Sequence, residues 1–204
     1  KVFAFNSSER FITDAVVTDD NKTLAAVTIG QTDGTFESTL VRYRLADGDK
    51  LGETSLGDRV VLQLGTLGDT FCAVCETETV FYEPGGELSV YGYNRETFRG
   101  FSLGGDGFVA LATSKYKAGS LGRLVTVDEA GETLGEVQLT EELLDVSAAG
   151  RYVAALFADR LDIYTRDLTL YSQLQGTDNA RSALMRSDGT AVLIGADSAR
   201  IYVP

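Results

Sequence analysis

The chain has no histidine and no tryptophan, two cysteines, two prolines and one methionine among its 204 residues. The missing histidine excludes the most. Ser–His–Asp and Cys–His hydrolases, H-E-x-x-H metalloproteases and ordinary zinc sites all need an imidazole that titrates or ligates near neutral pH. This composition builds none of them, and neither a metal site nor a cofactor is expected. Chemistry based on carboxylate, tyrosine, lysine or serine stays open. Positive charge is also scarce, with 18 Lys and Arg against 30 Asp and Glu and a formal net charge of −12. Such a surface repels phosphate backbones, so nucleic acid is not an expected partner. No apolar run approaches the roughly 20 residues of a membrane-spanning helix, and no signal peptide is visible. The only methionine is Met185 and the sequence opens on Lys1; a membrane anchor lost from the N-terminus is compatible with both.

The two cysteines, Cys72 and Cys75, stand at the C-x-x-C spacing of a redox dithiol. Such a dithiol normally sits at a helix N-terminus that lowers one thiol pKa. Here the surrounding Phe71–Cys75 segment is an apolar β-run. Positions i and i+3 of a strand face opposite sides, which sets the two sulfurs apart. Both read as small buried hydrophobes.

The 22 glycines suit a chain that turns often and pairs its backbone in sheets. Laid against itself, the sequence shows one unit several times over. An apolar strand opened by a Gly/Asp turn occurs at Asp19–Val27, Gly68–Val74, Gly105–Leu111, Ala149–Leu156 and Ser187–Ile194. Leu24, Phe71, Phe108, Tyr152 and Ala191 are equivalent positions, at spacings of 47, 37, 44 and 39 residues. An alternating strand precedes each turn and another follows, such as Leu40–Leu45, Thr79–Tyr82 and Leu161–Tyr164. A fourth strand completes the first four units. The second strand of each unit is almost wholly apolar, as expected of a strand buried on both faces, whereas the outer strands alternate. No segment shows sustained helical periodicity.

Four short strands repeated about every 42 residues mark a propeller blade. The reading is an all-β chain, a β-propeller of about five four-stranded blades in one domain, with blades near 11–56, 57–94, 95–139, 140–175 and 176–204. The fifth unit has three strands, and Val2–Phe5 is a strand without a unit of its own. Either that strand completes the last blade, or the chain is part of a larger propeller; another all-β array is the remaining alternative.

The succession of an Asp-Gly turn, an Ala-Val strand and an x-Val-Tyr strand resembles the WD40-like and quinoprotein-like propeller repeats. The chain is also similar to a family of membrane-anchored, propeller-like ectodomains of Gram-positive bacteria. That second resemblance implies an extracytoplasmic, cell-surface location and no known activity.

Two connections between second and third strands are long: Gly30–Ser38, with Phe36 beside Asp33 and Glu37, and Ser114–Gly122, with Tyr116 between Lys115 and Lys117. Long loops on a rigid scaffold often carry binding residues, so these six are the candidate partner-binding residues. Asp19, Asp20, Asp106 and Asp188 stand where Asp serves turn hydrogen bonds. Gly104–Gly107 lacks the following helix that a phosphate cradle needs. The composite expectation is a non-catalytic module that presents one face to a protein or glycan. A carboxylate-dependent carbohydrate hydrolase, whose acid pair would come from different blades, and a structural repeat of a surface assembly are the alternatives.

Overall fold

The computed structural model describes residues 7–83, 85–116, 121–177 and 179–204. Val2–Phe5 therefore lies outside the described residues. Every regular element among the described residues is a strand. The first sheet comprises β1 (Arg10–Val17), β2 (Thr23–Thr32), β3 (Thr35–Arg44) and β4 (Lys50–Gly57). The second comprises β5 (Val61–Leu67), β6 (Thr70–Cys75), β7 (Glu78–Tyr82) and β8 (Leu88–Gly92). The third contains β9 (Thr97–Gly105), β10 (Phe108–Ser114), β11 (Gly122–Asp128) and β12 (Thr133–Leu139). The fourth contains β13 (Asp145–Ala149), β14 (Tyr152–Leu156), β15 (Arg160–Thr165) and β16 (Leu170–Gln175), and the fifth β17 (Ser182–Met185), β18 (Ala191–Ile194) and β19 (Ala199–Tyr202). Strand order within each sheet is sequential, the meander expected of a propeller blade. The chain divides into two compact units, Lys1–Val90 and Tyr91–Pro204, with the division inside β8.

The fully apolar second strands have a direct cause, seen best in β14. Val153 and Ala155 point into a cluster with Phe108, Ala110 and Leu124 of the third sheet. Their neighbours Tyr152, Ala154 and Leu156 point the other way, into a cluster with Ala183, Ala191 and Leu193 of the fifth. A strand packed on both faces has no solvent side to be polar toward. In the N-terminal unit, Ala25, Val27 and Leu40 of the first sheet pack with Leu64, Phe71, Ala73 and Val80 of the second. Small side chains on the second strands let neighbouring sheets approach closely.

Innermost strands add polar links between successive sheets. Asp14 Oδ2 on β1 accepts the Leu64 amide of β5 at 2.7 Å. Ser102 Oγ on β9 accepts the Ala148 amide at 2.8 Å, and Ser147 Oγ on β13 accepts the Met185 amide at 3.0 Å. Each link satisfies an amide that the meander's own ladder does not use.

One expectation needs correction. Gly30–Ser38 is not an open loop. β2 and β3 run on as a ladder to the pair Thr32↔Thr35, joined by the two-residue turn Asp33-Gly34. Both turn residues have positive φ, 51° and 80°, the signature of a type I′ hairpin turn. Asp-Gly is the favoured sequence for that turn, and the alternating Thr, Phe, Glu and Ser side chains suit a strand. The result is a pair of ten-residue strands where the equivalent pair of the second sheet has six and five.

Candidate functional site

The long hairpin separates the first three candidate residues by strand parity. Phe36 pairs with Gln31, and Ile29 pairs with both Phe11 and Ser38. Side chains directly opposite share a face, so Phe11, Ile29 and Phe36 stand together on the face that carries Ala25 and Val27. Phe11 is 69% and Phe36 66% exposed. Glu37 points to the opposite face. There the Arg10 guanidinium donates to the carbonyls of Thr28 (3.1 Å) and Glu37 (3.0 Å) and to Thr39 Oγ1 (2.7 Å). The Glu37 carboxylate receives the Ser55 hydroxyl at 2.7 Å and lies 3.8 Å from Arg10. Arg10 and Glu37 thus clamp β1, β3 and β4 together. Glu37 holds the hairpin in place, and Phe36 is the side chain it presents. Asp33 sits exposed in the turn that joins β2 to β3.

Phe36 forms a ridge between two shallow grooves. One, of about 360 Å³, is lined by Ser8, Glu9, Phe11, Ile29 and Gln31. The other, of about 370 Å³, is lined by Ile29, Thr35, Ser38, Asp58, Arg59 and Val60. Arg59 closes that second wall: its Nε meets Glu78 Oε1 at 2.5 Å and its carbonyl accepts the Ser38 hydroxyl at 2.7 Å. Phe11, Ile29 and Val60 were not singled out in the sequence. Phe11 and Val60 belong to innermost strands or their approaches, and only the register of β1 on β2 brings Phe11 beside Ile29.

The second candidate region lies in the C-terminal unit. Lys115 Nζ is 5.7 Å from the centre of the Tyr116 ring, which is largely exposed. The Tyr116 carbonyl accepts from Ser114 Oγ at 2.9 Å and from Arg99 Nη2 at 3.3 Å. Lys117 lies outside the described residues. The described part is a cation over an aromatic ring, and a smaller groove of about 100 Å³ is lined by the Arg99 and Ser114 that hold the Tyr116 carbonyl.

Several carboxylates that acid–base chemistry could draw on are structural acceptors. Asp14 carries the sheet-to-sheet bond above. Asp145 Oδ2 takes the Ser182 hydroxyl and the Ala183 amide. Asp162 is buried on β15, where Arg160, Tyr164 and Gln173 all donate to it. Burial and that neighbouring carboxylate push the Tyr164 phenol up to about 12. Asp20 is a turn residue: the Lys22 ammonium, with the Thr18 hydroxyl, lowers its carboxyl to about 2. Cys72 and Cys75 are free, buried thiols. Burial raises both, Cys75 to about 12, the reverse of what thiolate chemistry requires. Among the described residues no three Cys, Asp or Glu side chains cluster as a metal site would.

No family model matches the chain, and no curated protein matches it. Solved structures do. The WD40 repeats of RRP9 superpose with a TM-score of 0.54 at 11% identity, over 89% of this chain and 72% of that one. Hsv2 of Kluyveromyces lactis gives 0.58 at 7% identity, over 95% of this chain, which spans 59% of the Hsv2 chain. The computationally designed protein Ika8 gives 0.59 at 10% identity, over 95% and 71%. With four four-stranded meanders and a three-stranded fifth, this likeness makes the chain a β-propeller of about five blades, similar to WD40 propellers. The resemblance to membrane-anchored ectodomains finds no support among these matches.

Proposed function

We propose that the chain is a non-catalytic protein-interaction module whose contact surface includes the far end of the β2–β3 hairpin. One observation carries this reading. The apolar face that Ala25 and Val27 bury against the second sheet continues outward through Ile29, Phe11 and Phe36, and there it is uncovered. Two phenylalanines more than half exposed on one face of the first sheet, Phe11 on β1 and Phe36 on β3, cost solubility without adding to the core. Held in place by the Arg10–Glu37 clamp, they have the exposure and fixed position that a docking anchor requires. The placement of Asp14, Asp145 and Asp162 in structural bonds favours this reading over a carboxylate hydrolase. The WD40-like fold adds to it as an architecture suited to presenting such surfaces.

Panning a random peptide-display library on the domain, with counter-selection on Phe36→Ser, tests the reading. Binders that require Phe36 are expected. Recovery of binders indifferent to Phe36, and of no others, discards the hairpin as the contact surface.

A further inference from the structure

The partner's chemistry can be read from the rim of the same surface, an inference that rests on the reading just given. The four outermost pairs of the β2–β3 ladder, Ile29↔Ser38 to Thr32↔Thr35, extend the hairpin by about 13 Å at the usual rise per residue. The core cluster of the first two sheets stops at Val27. Past it, Phe36 divides the exposed face into two troughs floored by Ile29 and walled by Phe11 on one side and Val60 on the other. Each trough accommodates one apolar side chain, and neither holds a buried polar group that would require a matching donor from the guest.

Unpaired charge at this rim, among the described residues, has one sign. Glu9 borders the first trough, Asp58 the second, and Asp33 caps the turn above both; all three are exposed. None forms an ion pair among the described residues. Among the described residues the cations beside the troughs are already committed, Arg10 to the Thr28, Glu37 and Thr39 oxygens and Arg59 to Glu78 and the Leu56 carbonyl. The protein as a whole carries −12. An approaching group meets three unneutralised carboxylates around an apolar floor. Anionic lipid and acidic peptides are repelled by that arrangement, whereas Lys and Arg beside apolar residues satisfy both parts of it.

We infer that the hairpin end docks a short extended peptide segment of a protein partner, with two apolar side chains in the troughs beside Phe36 and flanking Lys or Arg against Glu9, Asp33 and Asp58. The apolar anchors supply most of the affinity, and the basic flanks select the partner and speed its arrival. Exposed charges at a rim are screened by salt, so selectivity weakens as ionic strength rises while anchor-dependent binding persists.

Three synthetic hexapeptides test this by fluorescence anisotropy at low salt: Lys-Phe-Lys-Leu-Arg-Lys, its counterpart with Glu at every basic position, and its counterpart with Ser at Phe and Leu. The basic apolar peptide is expected to bind at least about tenfold more tightly than either other. Phe36→Ser should cost at least about tenfold, and Phe11→Ser a comparable amount. The triple variant Glu9→Gln, Asp33→Asn, Asp58→Asn should bring the basic and acidic peptides within about threefold while retaining Phe36 dependence. Equal or tighter Phe36-dependent binding of the acidic peptide overturns the basic-partner assignment and leaves the interaction surface standing. Binding of none of the three, or binding unaffected by Phe36→Ser, overturns both. All substituted side chains are exposed, and unchanged thermal unfolding confirms that each variant is folded.

Discussion

Asp145 and Ala183 meet across two sheets: the carboxylate Oδ2 on β13 accepts the Ala183 amide of β17 at 2.8 Å and the adjacent Ser182 hydroxyl as well. Its other oxygen accepts the Val146 amide at 2.9 Å. Asp14 makes the corresponding bond to Leu64 in the N-terminal unit. These two acids therefore do for the sheet-to-sheet joints what ladder hydrogen bonds do within a sheet.

Asp145→Ala removes an acceptor from two amides and one hydroxyl in a part-buried joint, at an expected loss of about 1–3 kcal/mol in unfolding free energy. Asp14→Ala should lose a similar or smaller amount, since it serves one cross-sheet amide. Asp49→Ala, at an exposed turn, should stay within about 0.5 kcal/mol of the parent. Urea unfolding of the three variants makes the comparison. Equal stability of Asp145→Ala and Asp49→Ala would mean that the joint is held by packing alone.

Gly104→Ala should be among the most damaging single-methyl additions in the C-terminal unit. A Cβ at that position would stand 2.1 Å from the Ala148 carbonyl oxygen, a backbone atom of the next sheet's innermost strand. Just beyond it, Gly105 bridges Gly150 and the Asp106 amide donates to the Gly150 carbonyl at 2.8 Å. The glycine run that resembles a phosphate cradle is thus where two sheets touch backbone to backbone. Relieving the clash means moving a strand, and a loss of at least about 2 kcal/mol is expected on the scale of overpacked cores. A thermal midpoint unchanged from the parent would show that β9 shifts without penalty.

Strand order and blade number were legible because two-sided burial leaves a plain mark, an apolar run such as Phe108–Ala112 between alternating neighbours. The hairpin was half legible. Asp33-Gly34 is a strong turn signal, yet polar Thr and Ser around it read equally well as loop, so the ladder from Ile29 to Ser38 went unseen. Phe36 was found as an aromatic in a polar stretch. Its companions Phe11 and Val60 were not, since nothing local to them encodes the register that brings Phe11 opposite Ile29. Glu37 was placed in the site by its adjacency to Phe36, and strand parity sent it to the other face. Carboxylates such as Asp162 cannot be sorted into buried and exposed by spacing alone, because the partner Gln173 comes from the pairing of β15 with β16, with only Arg160 and Tyr164 nearby in sequence.

Gly34→Val should separate the hairpin end from the rest of the domain. Gly34 has φ of 80° and open space around its Cβ position, so the penalty is conformational, not steric crowding by neighbours. A β-branched residue is strained there by about 1–2 kcal/mol, and the four outer pairs are the cheapest place to release that strain. Amide exchange is expected to accelerate from Ile29 to Ser38, with protection at Ala25–Val27 and the global midpoint nearly unchanged. Loss of peptide binding with the fold intact would accompany it. A fall in the global midpoint with uniform exchange would show instead that the hairpin end unfolds only with the whole unit.

Alkaline pH offers a test of the buried proton donors. Burial raises both thiols, Cys75 from 9.0 to about 12, and raises the Tyr164 phenol from 10.0 to about 12. For each group the folded protein keeps its proton to higher pH than the unfolded chain does. Above the unfolded value the unfolded state binds fewer protons, so unfolding free energy falls as pH rises. Stability from these groups is complete below pH 9, starts to fall as the unfolded thiols ionise, and falls faster once the unfolded phenol joins near pH 10. Urea midpoints measured between pH 8 and pH 11 should therefore decline with increasing slope. Replacing both thiols in Cys72→Ala/Cys75→Ala removes the first part of that decline and leaves the part that begins near pH 10; Tyr164→Phe does the opposite. In native buffer at pH 8 neither thiol should react with a disulfide reagent on the timescale of an unfolded control. A midpoint that stays level to pH 11, or thiols that react in the folded state, would place Cys72 and Cys75 nearer to water than the sealed second sheet allows.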